Sequence, residues 1–517
     1  MEKSKSLIRI FPEQQAVSQN VIMERVIENT SFVDYDRKTN EAVYKKADKE
    51  EDIEIKNLIL GRALKPDIED KAIIASENLA RIFDNLGYGI QSDGVNIYIY
   101  NTCCWTIIDN RPMKHFLTKF LIKTGIRKTE AENVNHIEKY FRQIVYSLYV
   151  EPKQQNPNEA LVNANNCTIV IDLKGNVSCR SHNKNDGFFY VLPFKYDVNA
   201  DAPRFRLFLD EVIPGDIQLP LQEFFGCCLL PSLKIEKVLC CVGSGLNGKS
   251  VLFETMTYVL GKENVTTFNI NNLCESQSNT RYMLQNKLLN YSSDFSGQIW
   301  NNGFFKQLAS GEPVEVKKLY QDPIIIENYA RLAYNSNQMP NSSDTSAGFR
   351  RRLLLVEFTK KVANPDPFLV EKLKKEASGI LNWMIEGLVR YIKNGNKFSQ
   401  STVLNQSLSS FESATDNVKM FLEDSNSQPG TDSISLKDFY SWYKAYCDSN
   451  KIKPLQQQDF KVKLGDYDFK IEGGGKSKKA YSVLIDKTAL KLPSVNPFDT
   501  NITSSTSPFP KREERRK

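Results

Sequence analysis

The stretch Gly243-Ser244-Gly245-Leu246-Asn247-Gly248-Lys249-Ser250 has the spacing G-x-x-x-x-G-K-[ST], which suits a loop that holds a chain of phosphates. Glycine tolerates positive φ and lets backbone N–H groups turn toward an anion. Lys249 would reach the β- and γ-phosphates of a nucleoside triphosphate as a point charge, and the Ser250 hydroxyl would ligate Mg²⁺. Read alone, the loop fits ATP or GTP. Its flanks suit the role. "EKVLCCV" is a buried strand before it, and Leu252, Met256, Val259 and Leu260 form one apolar helical face after it, with Gly261 at the C-cap. The helix N-terminus adds its dipole to the anion site. The rival reading, a chance match in a glycine-rich turn, does not account for a strand before and a helix after.

A phosphate loop of this kind needs an acidic partner at the end of a neighbouring strand. "NKLLNYSSDFSG" offers Asp294 after a short apolar run, a second candidate Mg²⁺ ligand beside Ser250. Asn337 closes "ARLAYNSNQMP", where a polar side chain can orient an attacking water. "GFRRRLLLVEF" places Arg350, Arg351 and Arg352 just before a further strand, from which an arginine can reach a neighbouring subunit's site. Singly, these residues would also suit a helix cap, a turn before Pro340 and surface charge. Their order behind the loop makes Lys249, Asp294, Asn337, Arg351 and Arg352 the candidate catalytic set.

The elements that must position them differ along the chain. From Ile235 to about Phe358 short buried strands alternate with helices, an α/β pattern. Upstream, "ENLARIFDNLG" predicts a helix ending at Gly87, and "VNIYIYNTCCWTIID" two strands joined near Asn101-Thr102. "MKHFLTKFLIKTGI" and "NHIEKYFRQIVYSLYV" predict helices, and "NCTIVIDLKGNVSCRSH" a hairpin turning at Lys174-Gly175. The expected organisation is an N-terminal extension (1–75), an α+β domain (76–232), the α/β unit with a helical lid (233–395), a linker (396–432) and a compact C-terminal unit (433–492). Residues 493–517, rich in Pro, Ser and Thr, predict a disordered tail.

Composition sets bounds. The chain has 517 residues, enough for two to four domains at about 150 residues each. Its 68 basic and 62 acidic residues leave a net charge of +6, too mild an excess to argue nucleic-acid binding by itself. No apolar run is long enough to span a membrane, and the N-terminus lacks a secretory apolar core, so a cytoplasmic protein is expected. Six of the ten cysteines form three adjacent pairs, Cys103-Cys104, Cys227-Cys228 and Cys240-Cys241, a spacing that suits buried reduced thiols rather than disulfides or zinc.

The order of the loop, "YSSDFS", "YNSNQMP" and "GFRRRLLLVEF" resembles the superfamily three helicases, and within them the phage and plasmid primase–helicase group related to the poxvirus primase–helicase. The resemblance implies an α/β P-loop NTPase core of AAA+ type with an N-terminal α+β domain. It implies a homo-hexameric ring that hydrolyses ATP with Mg²⁺ and moves 3′ to 5′ on single-stranded DNA, replicating a phage, plasmid or mobile element in a bacterial or virus-infected cell. By the same resemblance Asp294 is the Walker B acid, Asn337 the sensor, and Arg351 or Arg352 the finger supplied in trans. It runs from about Ala75 to Phe225, through "LQEFFGCCL", the ATPase, the lid and the C-terminal unit. Two features depart from it: Ser293-Asp294 stands where many relatives carry two acids or a glutamate, and three arginines stand where two are common.

The family also places a DNA-contacting hairpin in the ring channel at the position of "GEPVEVKKLYQDPIIIENYA", which predicts two strands around Gln321-Asp322-Pro323. Lys317 and Lys318 would follow phosphates and Tyr320 would stack on a base, although an ordinary solvent-facing hairpin has the same residue types. The C-terminal unit has two helices and then strands around "GGGKSKKAY", which suits a winged-helix domain with Lys476, Lys478 and Lys479 near the backbone of forked DNA. A protein-binding winged helix or a solvated loop fits as well. Asp34 and Asp36 are paired carboxylates, but too little chain precedes residue 75 for a polymerase fold, so primer synthesis is expected from a separate primase or polymerase. The alternative to a helicase is an ATP-switched origin-binding or scaffold protein that recruits one.

Overall fold

Amphipathic helices and a small meander build the N-terminal core. Helix Gln19–Glu28 is capped by the Ser18 side chain and buries Ile22 and Val26, one turn apart. Helix Ile68–Asn85 opens with a reciprocal Asp67–Asp70 capping box and buries Ala72, Ala75, Leu79, Ile82 and Phe83 along one stripe. Strands β1 (Gly89–Ser92), β2 (Ile97–Tyr100) and β3 (Trp105–Ile108) pair antiparallel in that order. Helices Asn110–Lys123 and Val134–Ser147 close the core. The computed structural model that shows this describes residues 16–151, 156, 158–213, 215–293, 303–318, 323–337, 347–450, 454–473 and 482–486.

This core corrects the predicted boundary at residue 75. Helix Ile68–Asn85 runs straight through it, and Ile22, Val26 and Tyr35 lie in the same core as Phe116 and Ile144. Charged residues interrupt the apolar ones throughout the first segment, so no period shows in it; Ile22, Val26 and Tyr35 enter the core, whereas Phe32, Ile53, Leu58 and Leu64 stay exposed.

The second core runs from Val162 to Leu404 and takes in Cys104 from the end of the N-terminal meander's connecting turn. Strands β4 (Glu159–Asn163), β5 (Thr168–Asp172) and β6 (Val177–Arg180) form an antiparallel sheet at its edge. Its centre is a five-stranded parallel sheet of β7 (Val238–Val242), β8 (Val265–Thr266), β9 (Leu289–Ser293), β12 (Arg331–Ser336) and β13 (Leu353–Glu357), in the order β13-β7-β12-β9-β8. Between β9 and β12 the chain makes a short antiparallel hairpin, β10 (Val314–Val316) and β11 (Ile324–Ile326). All five residues of β7 are buried, and strands flank it on both sides, which is why it reads as an unbroken apolar run.

The predicted 76–232 domain is therefore divided. Most of its first part belongs to the N-terminal core, whereas Cys104 and residues from Val162 onward share the core of the parallel sheet. Helix Gln218–Cys228 is buried from Pro220 to Cys228 because helix Ala377–Lys393 lies tightly along it. A Cβ on Gly226 would stand 2.5 Å from the Met384 carbonyl oxygen, and one on Gly387 2.4 Å from that of Gln222. Glu223, fully buried in this contact, pairs with Arg390 at 2.6 Å and accepts from the Ser399 amide at 2.7 Å.

A third core corrects the predicted 396–432 linker. Helices Thr402–Thr415 and Asn417–Asp424 occupy it, and Val418, Phe421 and Leu422 pack against Phe439, Tyr443 and Phe460 of the C-terminal helices Leu436–Ser449 and Gln457–Gly465. Polar spacing hid these helices: in Asn417–Asp424 only Val418, Phe421 and Leu422 are buried. Strands β14 (Pro429–Ser435), β15 (Ile471–Glu472) and β16 (Ser482–Ile485) complete this unit as an antiparallel sheet in the order β14-β16-β15. All ten cysteines are free thiols. Among the described residues no helix is long and apolar enough to cross a membrane.

Candidate nucleotide site

Strand β7 ends at Val242 and delivers Gly243, whose amide donates to the Ser336 carbonyl of β12 at 3.1 Å. The backbone then enters the left-handed region at Gly245 (φ +93°), Leu246 (φ +50°) and Gly248 (φ +87°), a geometry in which successive N–H groups converge on an anion. Leu246 has no glycine's freedom, and a side-chain residue held there costs about 1–3 kcal/mol. Its carbonyl accepts from the Val362 amide at 3.0 Å, which braces the strained turn. Gly248 needs to be glycine twice over, since a Cβ would also meet Phe208 and Val212 at 3.0 Å. Above Gly245 the space is open: a Cβ there meets nothing within 4 Å.

Helix Lys249–Leu260 starts directly after Gly248 with no side-chain cap, so its first amides are left for a ligand. Lys249 is only 5 % exposed. Its Nζ donates to the Gly243 carbonyl at 2.6 Å and to Asn247 Oδ1 at 2.8 Å. Burial holds its pKa below the ordinary lysine value. Asn247 is 2 % exposed and in turn donates through Nδ2 to the Phe358 carbonyl at 3.1 Å. Asn247, expected among the nucleotide-binding residues of the loop, uses its side chain here as the brace that aims Lys249.

The neighbouring strands end at the same edge. Asn335 of β12 stands opposite Cys241 of β7 on one side and Ser293 of β9 on the other. The edge formed by the carboxyl ends of parallel strands is where open α/β sheets bind ligands. Asn337 lies just past β12 and is exposed. Asp294 lies outside the described residues. Asn335, not singled out from sequence, is buried; Nδ2 donates to the Tyr291 hydroxyl at 3.2 Å, and Oδ1 has no partner among the described residues. The Tyr291 ring stacks on Phe253 of the glycine-loop helix at 3.9 Å between centroids. The sequence signal for Asn335 was a polar residue directly after the apolar residues Leu332, Ala333 and Tyr334.

The arginines are at the opposite edge. Leu353, the first residue of β13, pairs with Val238, the first of β7. Arg351 is exposed and pairs with Glu236 at 3.4 Å, and Glu236 precedes Gly243 by seven positions, roughly 20 Å along an extended chain. Arg352 is held within its own fold, donating to Ser310 Oγ at 2.9 Å and to the Gly348 carbonyl at 2.6 Å. The structure thus separates two residues that the sequence treated alike.

Lys317 and Lys318 follow β10 of the hairpin, whose register is Val314 opposite Ile326. Lys317 is exposed, whereas Lys318 donates to Asn96 Oδ1 at 3.0 Å and lies over the Tyr282 ring at 5.2 Å. Tyr320, Lys476, Lys478 and Lys479 lie outside the described residues. No cluster of three or more His, Cys, Asp or Glu able to hold a metal occurs among the described residues. For Mg²⁺, the exposed Ser250 hydroxyl beside an open, uncapped helix start supplies the hard oxygen ligand that this ion prefers, so the residues present fit it.

Residues 31–214 match the sequence model of a family described as D5 N terminal like, and residues 241–352 match DUF5906, a family of unknown function. Over 292 residues the chain is 24% identical to the candidate helicase L207/L206 of Acanthamoeba polyphaga mimivirus, a stretch covering 49% of this chain and 30% of the mimivirus protein. The chain thus spans less than a third of that relative's length. Apo structures of the NrS-1 C-terminal region match at TM-scores of 0.45 (12% identity, 79% of this chain and 99% of that one) and 0.43 (11% identity, 78% and 97%).

Proposed function

We propose that this chain is an ATP-driven DNA helicase whose core is a P-loop NTPase of AAA+ type. The observation that carries the reading is the buried Lys249 cation, cross-braced by Gly243 and Asn247 in front of an uncapped helix at the carboxyl edge of the sheet. Lys249 exchanges those two acceptors for phosphate oxygens and steadies the charge that develops on the γ-phosphate. Ser250 and Asp294 would hold Mg²⁺, which neutralises phosphate charge when bound. Asn337, just past the edge of β12, orients the attacking water. Arg351, roughly 20 Å from its own loop, supports a finger acting on the neighbouring copy. Each site is then completed by the next subunit, and the proposed assembly is a homo-hexameric ring.

In this reading the hairpin residues Lys317, Lys318 and Tyr320 track single-stranded DNA 3′ to 5′. The C-terminal helices and sheet act as a winged helix, with Lys476, Lys478 and Lys479 on the fork. Primer synthesis belongs to a separate primase or polymerase. The D5-type match and the mimivirus relative support the assignment at low identity. The test is ATP hydrolysis with and without single-stranded DNA, together with strand separation on forked DNA, for wild type and Lys249→Ala. The expected result is DNA-stimulated hydrolysis and unwinding, both abolished in the variant. Stimulated hydrolysis with no strand separation would replace the helicase with an ATP-switched origin-binding or scaffold protein.

A further inference from the structure

The turn Asp93–Asn96 between β1 and β2 and the end of helix Val134–Ser147 border an open cleft of about 390 Å³, lined by Gly94, Val95, Phe141, Arg142, Tyr146 and Tyr149. Tyr146 is 79% exposed and Tyr149 51%, with Val95 and Val150 also exposed beside them. Two neighbouring tyrosines left in water, flanked by apolar side chains, form a surface that calls for an occupant. The cleft is rigidly built. The Ser92 amide donates to the Leu148 carbonyl at 2.7 Å, and the Val150 amide returns the bond to Ser92 at 3.0 Å. The Tyr149 ring covers Gly94, where a Cβ would lie 3.7 Å away. Asp93 is used up within the turn, accepting from the Val95 and Asn96 amides and the Tyr98 hydroxyl at 2.7–2.9 Å. Arg142 is exposed at the rim.

The same turn touches the hairpin. Asn96, next to Val95 of the cleft, accepts from Lys318 Nζ at 3.0 Å. Lys318 thus joins the hairpin to the turn whose other residues, Gly94 and Val95, border the two tyrosines and Arg142. A surface that alternates cations with exposed aromatic faces suits a polyanion whose repeating units carry π-faces. We propose that the cleft is a second single-stranded DNA contact, on which unpaired bases stack against Tyr146 and Tyr149 while Arg142 meets a phosphate. This rests on the reading that Lys317 and Lys318 follow the single strand, and it extends that path onto the N-terminal core. Stacking of this kind is tolerant of sequence.

The experiment uses the full chain and a fluorescently labelled single-stranded oligonucleotide. Changing Tyr146→Ala and Tyr149→Ala together should weaken binding by about tenfold or more, with the thermal midpoint unchanged because both side chains are exposed. Tyr146→Phe with Tyr149→Phe keeps the rings and should keep the affinity. An oligonucleotide carrying 5-iododeoxyuridine should cross-link to peptides containing Tyr146 or Tyr149. Lys317→Ala with Lys318→Ala is measured in parallel. If that variant binds normally, the underlying hairpin reading fails. If it binds weakly while the tyrosine-to-alanine variant binds as wild type, the hairpin stands and the cleft proposal is overturned. Loss of self-association in the tyrosine variant at unchanged DNA affinity would make a second copy of the chain the occupant, which also overturns it.

Discussion

Asn335 donates to the Tyr291 hydroxyl at 3.2 Å across the β12–β9 pair, and Tyr291 lies flat on Phe253 of the glycine-loop helix. One buried amide thus links the helix that begins with Lys249 to the strand that leads to Asn337. The link is energetically uneven, because Asn335 Oδ1 is buried without a partner among the described residues.

That imbalance gives a first prediction. Losing one neutral hydrogen bond costs about 1 kcal/mol, while an orphaned buried acceptor costs about 1–3 kcal/mol. Asn335→Ala removes both. Its unfolding midpoint should stay level or rise, while its ATPase rate falls as the β12 edge loses its tie to the helix. Parallel denaturation and steady-state hydrolysis measurements check this; a destabilised variant with normal turnover would refute it.

Arg351 and Arg352 should differ in kind. Arg351→Ala should reduce hydrolysis by about 10³-fold while keeping nucleotide binding and fold. Mixing it with Lys249→Ala subunits should restore part of the activity, since one intact finger can then serve one intact loop. Arg352→Ala removes the contacts to Ser310 and Gly348 and should lower stability instead. Mixed-subunit ATPase assays and melting curves separate the two.

Glu223 is fully buried against Arg390 and the Ser399 amide. Breaking such a pair from one side costs about 3–5 kcal/mol, because the partner charge is left uncompensated. Glu223→Ala should therefore lose about that much stability in urea unfolding. A loss below about 1 kcal/mol would mean that Arg390 finds another partner or water.

Lys237 supplies a pH signature. Its Nζ donates to the Arg351 carbonyl at 2.5 Å, and burial pushes its pKa down to about 8, with Glu236 opposing and Arg351 adding to the shift. The unfolded value is about 10.4. Between these two values the unfolded chain binds more protons, so this group makes stability rise with pH from about 8 to about 10.4. Relative to wild type, Lys237→Met should lose that rise. Denaturation midpoints at pH 7.5 and pH 9.5 test it; an equal difference between the two proteins at both pH values would refute it.

The sequence by itself determined the glycine loop, the strand before it and the helix after it, along with the amphipathic helices around them. These are short-range features, set by which residues tolerate positive φ and by apolar periods of a few positions. It also displayed Asp294, Asn337 and the arginines in order, but not the edge on which each stands. Only the tertiary structure decided that β12 lies between β7 and β9, that Arg351 and Arg352 sit at the far edge with different partners, and that Lys318 reaches Asn96. It also decided that residues before 75 dock into the first core and that the 396–432 stretch forms helices. The reason is range. Strand order joins segments nearly a hundred residues apart, and it is fixed by the summed burial of many side chains rather than by any one stretch.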